Sequence, residues 1–271
     1  MSARNNSANK AAARERLRAE REKQAKRDKI RKQSIVAGSG VVVLAIAAGV
    51  VLLVHNSNKP SGWEAAAKVT NVVAPKNTSG KDGTTVVVGK SSAKKTLTVF
   101  EDSRCPICAQ FEQTVGSTVQ KDIDAGKFKV QYVGATFIDN HDNGVGSKNA
   151  LSALGAALNV SPDAFLHYKS ALYSTKFHPD ENDDKFKNDS YLIKVADTVP
   201  ELKGNAAFQK AVKNGTYDAW AMKMSAKFDK SGVQGTPTFK MDGKTLTVPG
   251  TTNPPMTVDQ FNSVLSKALG S

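Results

Sequence analysis

Apolar residues fall along this chain in distinct patterns, and each predicts a different kind of element. Residues 34–54 are an unbroken run of 21 uncharged positions rich in Val, Ala, Leu and Ile. A helix of that length covers roughly 30 Å, the thickness of a bilayer's hydrocarbon core. Buried helices of soluble proteins rarely go so far without a polar face, so a single membrane span is expected here. Residues 96–100 instead alternate, with Leu97 and Val99 on one side and Thr96, Thr98 and Phe100 on the other. That period of two predicts a strand. Directly after it, Ile107, Phe111, Val115, Val119 and Ile123 recur every four residues, the stripe of a helix.

The rest of the chain continues in the same way. A short strand is expected near residues 84–88 and a longer one over 127–133. Leu151, Leu154 and Leu158 share a helical face, and Ser161-Pro162 reads as the cap and first turn of a helix carrying Phe165, Tyr168 and Leu172. Phe208 pairs with Val212, and Trp220, Met224 and Phe228 repeat at the same spacing, which marks core. Residues 238–241 and 244–248 flank Asp242-Gly243, a two-residue hairpin signal. Thr257 and Gln260 make a capping box before a last helix with Phe261, Val264 and Leu265 inward. Strand, helix, strand, helical block, hairpin, helix: this order predicts an α/β domain with a central mixed sheet and a helical insertion at about residues 139–230.

Charge adds direction to the membrane span. The formal net charge is +13, and residues 1–33 supply +8 of it. Arg27, Lys29, Arg31 and Lys32 stand just before the apolar run, and a weakly charged stretch follows it. The positive-inside rule then places residues 1–33 in the cytoplasm as a basic tail and the rest of the chain outside the cell membrane. Ala45-Ile46-Ala47 fits a signal-peptide cleavage pattern but lies inside the apolar run, and the preceding region is very long, which favours an uncleaved anchor. Blocks such as Arg14-Glu15-Arg16 suit a solvated helix beside anionic lipid rather than a nucleic-acid-binding arm. Residues 55–83, rich in Ser, Asn, Lys and Gly, read as a linker to an outer domain spanning 84–271.

The chain holds only two cysteines, Cys105 and Cys108, three positions apart. A bridge between them closes a trivial loop and makes a poor brace, so the spacing points to chemistry. They stand where a strand hands over to a helix, with Pro106 in the first turn. Free backbone N–H groups and the helix dipole there stabilise a thiolate at Cys105, and Arg104 adds positive charge beside it. Cys105 is then the exposed attacking thiol and Cys108 the resolving one. Zinc or iron–sulfur ligation needs further Cys or His ligands that the sequence does not supply, and no cofactor is expected. Two acidic stretches invite a calcium reading. Asp180, Asn182 and Asp184 fit loop positions 1, 3 and 5, but Lys185 replaces the required Gly and Tyr191 the final Glu; the stretch from Asp139 to Gly144 begins better and ends on Ala150. Asn149 stands where the third Gly of a dinucleotide fingerprint belongs. The two acidic stretches read as solvated loops, and the fingerprint is not completed.

Residues 100–112, FEDSRCPICAQFE, resemble the active-site segment of DsbA-like proteins of the thioredoxin superfamily, and residues 232–239, GVQGTPTF, resemble that family's cis-proline loop. The resemblance covers roughly residues 84–270. It implies a thioredoxin fold with a DsbA-type helical insertion, a redox-active Cys105–Cys108 disulfide, and support of the site by Pro106, Ile107, Thr236 and a cis Pro237. It also implies thiol–disulfide exchange with unfolded or partly folded secreted proteins, and re-oxidation by a quinone-linked membrane thiol oxidase. A reductase or isomerase fed by a transmembrane donor, and a non-catalytic binding module, are the alternatives. Two departures stand out. Val99 occupies the position, six before the first Cys, where many relatives carry a buried acid, and Pro-Ile lacks the histidine of the best-known family member; both point to an intermediate potential. The alternation of the strand leaves Glu101 and Asp102 unplaced.

Overall fold

The computed structural model describes residues 62–270, with the backbone alone at Asp142. The basic tail, the apolar run at 34–54 and the first part of the linker lie outside the described residues. No helix among the described residues is long and apolar enough to cross a membrane.

Strand β2 (Thr96–Asp102) lies at the middle of a five-stranded sheet. It pairs in parallel with β3 (Lys129–Ala135) and antiparallel with β4 (Thr238–Met241). Outside these run β1 (Val86–Val88), antiparallel to β3, and β5 (Lys244–Thr245), antiparallel to β4. Both faces of β2 are covered, so Phe100 is buried along with Leu97 and Val99. The strand also runs two residues past its apolar pattern, because Glu101 and Asp102 pair with Gly134 and Ala135 of β3. Tertiary pairing overrides the low strand preference of acidic residues.

Nine α-helices are seen among the described residues. Helix α1 (Gly62–Ala67) precedes the sheet, and α2 (Pro106–Ala125) connects β2 to β3. Phe111, Val115, Val119 and Ile123 are buried on α2 as expected, but Ile107 is 45% exposed. A four-residue repeat on a helix of 3.6 residues per turn drifts by about 40° at each step, so a stripe of five cannot stay on one face. Phe111 packs on Phe239 of β4 and Phe261 of α9 (Val258–Leu269), with ring centroids 4.4 and 5.9 Å apart. Thr257 caps α9, accepting from Gln260 N at 3.3 Å, while the Gln260 side chain accepts from Met256 N rather than Thr257 N.

Between β3 and β4 lies the insertion: α3 (Ile138–Asp142), α4 (Gly146–Val160), α5 (Pro162–Tyr173), a 3-10 turn (Lys185–Lys187), α6 (Asp189–Ala196), α7 (Ala206–Lys213) and α8 (Asp218–Asp229). Leu151, Leu154 and Leu158 are buried on α4, and Ser161 caps α5 by accepting from Ala164 N. Phe208, Val212, Trp220, Met224 and Phe228 are core, as their spacing predicts. The hairpin turn has positive φ at Asp242 (51°) and Gly243 (78°), the condition for a tight two-residue connection. Its second strand is shorter than expected, ending at Thr245. Upstream of β1, the Asn77 side chain donates to Leu158 O at 2.7 Å and Trp220 Nε1 donates to Gly83 O at 2.8 Å.

Candidate active site

Cys105 is the N-cap of α2 and Pro106 its first residue. The extended backbone at Cys105 (φ −68°, ψ 116°) turns its sulfur back over the helix start, where it accepts from Cys108 N at 3.4 Å. An N-cap side chain takes up one of the donors a helix leaves free, and here the acceptor is a thiol sulfur. Across the fold, the Thr236-Pro237 peptide bond is cis, and Thr236 O lies 3.5 Å from the same sulfur, accepting from the thiol. Cys105, Cys108, Ala109, Ile138 and Tyr173 form a small apolar cluster of their own, with Phe137 against it. Both cysteines are free, and Cys105 is nearly as covered as Cys108, at 5% and 3% exposed. The expectation of an exposed attacking sulfur is corrected: the exposed positions are its neighbours Pro106 and Ile107.

The two thiols differ in acidity. Hydrogen bonding from the Cys108 thiol, against the effect of burial and with help from Thr236 and the N–H groups of Cys108 and Ile107, brings Cys105 down to about 6. Burial first, then the hydrogen bond to Cys105 and its charge, push Cys108 well above the ordinary thiol value. At pH 7 a thiol with a pKa near 6 is about nine-tenths ionised, against a few per cent for an ordinary one. The arrangement yields one thiolate at rest and one thiol that holds its proton.

Arg104 takes a different place from the one its sequence position suggests. Its side chain is fully buried, and Nη1 donates to Asp139 Oδ1 at 3.0 Å while Nη2 donates to Glu181 O at 2.6 Å. Its charge is therefore engaged by carboxylates of the insertion instead of being left to the thiolate. Asp139 and Asp184 come from the two acidic stretches with calcium-like patterns; Asp139 is buried and Asp184 half-buried, while residues 180–183 are exposed as expected of a solvated loop. The two carboxylates meet around this guanidinium, Nε standing 3.5 Å from Asp184 Oδ1. No group of three or more potential metal ligands forms among the described residues.

A second buried cluster lies behind the cysteines. Lys169 Nζ is 2.7 Å from Glu112 Oε2 and 3.5 Å from Glu101 Oε2, and it sits 5.2 and 5.3 Å from the ring centroids of Tyr132 and Tyr173. Burial raises Glu101 to about 7, opposed by Lys169. Asp102, also raised to about 7 by burial, accepts from Ser147 Oγ at 2.6 Å, and its carbonyl accepts from Tyr173 Oη at 3.0 Å. Strand alternation alone does not reveal these roles. The sequence did hold one signal for Lys169: it occupies a position four after Phe165, inside the apolar stripe of α5.

A thioredoxin family model, described as Thioredoxin, matches residues 81–267. Among curated proteins the chain is 26% identical over 161 residues to the serine/threonine-protein kinase PknE of Mycobacterium tuberculosis, a stretch covering 58% of this chain and 28% of the kinase. It thus spans little more than a quarter of that relative's length. It is 27% identical over 161 residues to the disulfide bond formation protein D of Bacillus subtilis, covering 59% of this chain and 68% of that protein. Among solved structures, the oxidised form of BdbD from Bacillus subtilis superposes with a TM-score of 0.57 at 24% identity, over 74% of this chain and 100% of that one. That likeness carries the fold.

Proposed function

The chain belongs to the thioredoxin family and has the DsbA-like fold with a helical insertion, and on that premise we propose that it is a thiol–disulfide oxidoreductase working through Cys105 and Cys108. The observation that carries this reading is the Cys105 sulfur itself. It sits on a helix N-terminus, receives Cys108 N–H at 3.4 Å and faces Thr236 O at 3.5 Å.

In the oxidative direction, a substrate thiolate attacks Cys105 Sγ of the Cys105–Cys108 disulfide. The Cys105–Cys108 bond breaks, a mixed disulfide forms at Cys105, and Cys108 leaves with the electron pair and takes up a proton. The substrate's second thiolate then attacks its own sulfur in the mixed disulfide and expels Cys105. The lowered pKa of Cys105 makes it the better leaving group, which favours oxidation of the substrate. The two electrons removed from the substrate remain on the Cys105 and Cys108 thiols, and a quinone-linked membrane thiol oxidase is the acceptor that restores the disulfide. The substrates are unfolded or partly folded secreted proteins, whose extended backbone pairs beside Thr236. The anchor at residues 34–54 holds the domain on the outer face of the membrane, near that oxidase.

Single-turnover oxidation of a reduced, unfolded dithiol protein by the oxidised chain tests the reading. We expect stoichiometric transfer by the wild type and none by Cys105→Ser. Undiminished transfer by that variant would overturn it, and a potential near that of thioredoxin would reverse the direction.

A further inference from the structure

Arginine normally keeps its charged head in water while its stem lies on the protein. Arg104 does the opposite and is 1% exposed. Its partners also organise a helix. Helix α4 opens on Val145, which supplies no capping side chain. Its free donors are met from outside: Asp184 Oδ2 accepts from Val145 N at 3.1 Å, and Asp139 accepts from Ser147 N and Lys148 N at 2.9 and 3.0 Å. Both carboxylates that cap α4 also hold the guanidinium. At Gly146 an added Cβ would stand 2.0 Å from Asp184 Oδ1 and 3.1 Å from Arg104 Cδ, so a side chain there must displace the Asp184 carboxylate.

The junction is continuous with the turn that carries the nucleophile. Arg104 N donates to Asp102 Oδ1 at 3.0 Å, and Ile138 N to Asp102 Oδ2 at 3.3 Å. Cys105 N donates to Asp102 O at 3.0 Å. We infer that Arg104 is a positioning residue: it straps the turn of residues 102–105 to the insertion, and the insertion thereby fixes where the Cys105 sulfur stands against its donors. Buried charges are held at the expense of lost hydration, and the best-attested return on them is a defined geometry.

Position and charge act in opposite directions on one variant, which allows a clean separation. Asp184→Asn removes an anion from the cluster, so a purely electrostatic role for Arg104 makes the thiolate easier to form. A strap loosened by the same change weakens the donors at Cys105 and makes it harder. The other groups that act on this thiol, Cys108, Thr236, the Ile107 N–H, Glu101 and Tyr173, are not themselves changed by the substitution.

The test is the pH dependence of Cys105 alkylation in the reduced full-length chain. This inference rests on Cys105 being the nucleophile, and the wild type checks that first: its midpoint is expected near pH 6, and an ordinary thiol midpoint would remove the nucleophile reading and this inference together. Given a depressed wild-type midpoint, we expect Asp184→Asn to raise it, slowing alkylation at pH 5.5 about three- to tenfold through the smaller thiolate fraction. Arg104→Lys keeps the charge, cannot span the three partners, and is expected to shift the profile the same way. Gly146→Ala, which wedges the junction open without altering any charge, gives the third reading should either variant fail to fold. A midpoint unchanged or lowered in the variants that fold, whatever their melting temperature, overturns the strap.

Discussion

Lys169 shows what a single side chain can decide in this domain. Burial favours the neutral form of Glu101, and the Lys169 ammonium beside it favours the ionised one. Glu101 still titrates near 7, so burial outweighs its partner. The sign of its pH effect follows: a carboxyl whose folded value is raised favours the folded state while protonated, and that advantage is lost as pH rises from the ordinary value through 7. Lys169→Met should therefore destabilise by about 3–5 kcal/mol at pH 8, as for a broken buried ion pair, and by less at pH 5 where Glu101 carries a proton. Urea denaturation at the two pH values measures this, and an equal loss at both would separate Glu101 from Lys169. At this scale the sequence was legible where spacing carries chemistry. Cys105 and Cys108 could be read from their separation, and Thr236 and Pro237 from the likeness of their loop. Arg104 could not, because adjacency along a chain does not say into which element a long side chain is folded.

Among the elements, close approach accounts for what apolar periodicity leaves out. Gly155 lies in the middle of α4, where glycine weakens a helix by about 1 kcal/mol relative to alanine. An added Cβ there would stand 2.8 Å from the Trp220 ring and 3.1 Å from Tyr217 Cβ. Gly155→Ala should then lower stability on balance, since overpacking against rigid neighbours costs about 1–3 kcal/mol. Thermal denaturation gives the sign, and a raised melting temperature would show that Trp220 can yield. The helices with marked stripes and caps were legible within a residue or two: Ser161 and Thr257 cap where their patterns predict. The strands were less so. Their ends are set by partners distant in sequence, as Gly134 and Ala135 set the end of β2, and no local pattern encodes them.

For the molecule as a whole, the order of elements was enough to foresee a mixed sheet interrupted by helices. It was silent on how the insertion and the sheet are joined, since that depends on buried polar side chains. Lys76 N donates to Asn159 Oδ1 at 3.1 Å, and the Asn77 and Trp220 bonds to Leu158 O and Gly83 O tie the same stretch to α4 and α8. Removing residues 62–83 leaves Trp220 Nε1 without its acceptor, a loss of about 1–3 kcal/mol for that group alone. We expect the melting temperature to fall by at least a few degrees, at about 2–4 °C per kcal/mol for a domain of this size, and an unchanged value would show that the segment contributes nothing. The sheet itself has a consequence for biogenesis. Cys105 precedes Thr236 by 131 residues, and β4, which closes the sheet beside β2, comes later still. At about 5–20 residues per second the ribosome needs roughly 7–26 seconds to span that interval, during which the thiols exist without their covering loop. A chain with more cysteines would risk misbridging in that window. With only two, the single intramolecular bridge open to the nascent chain is the Cys105–Cys108 bridge of the proposed cycle.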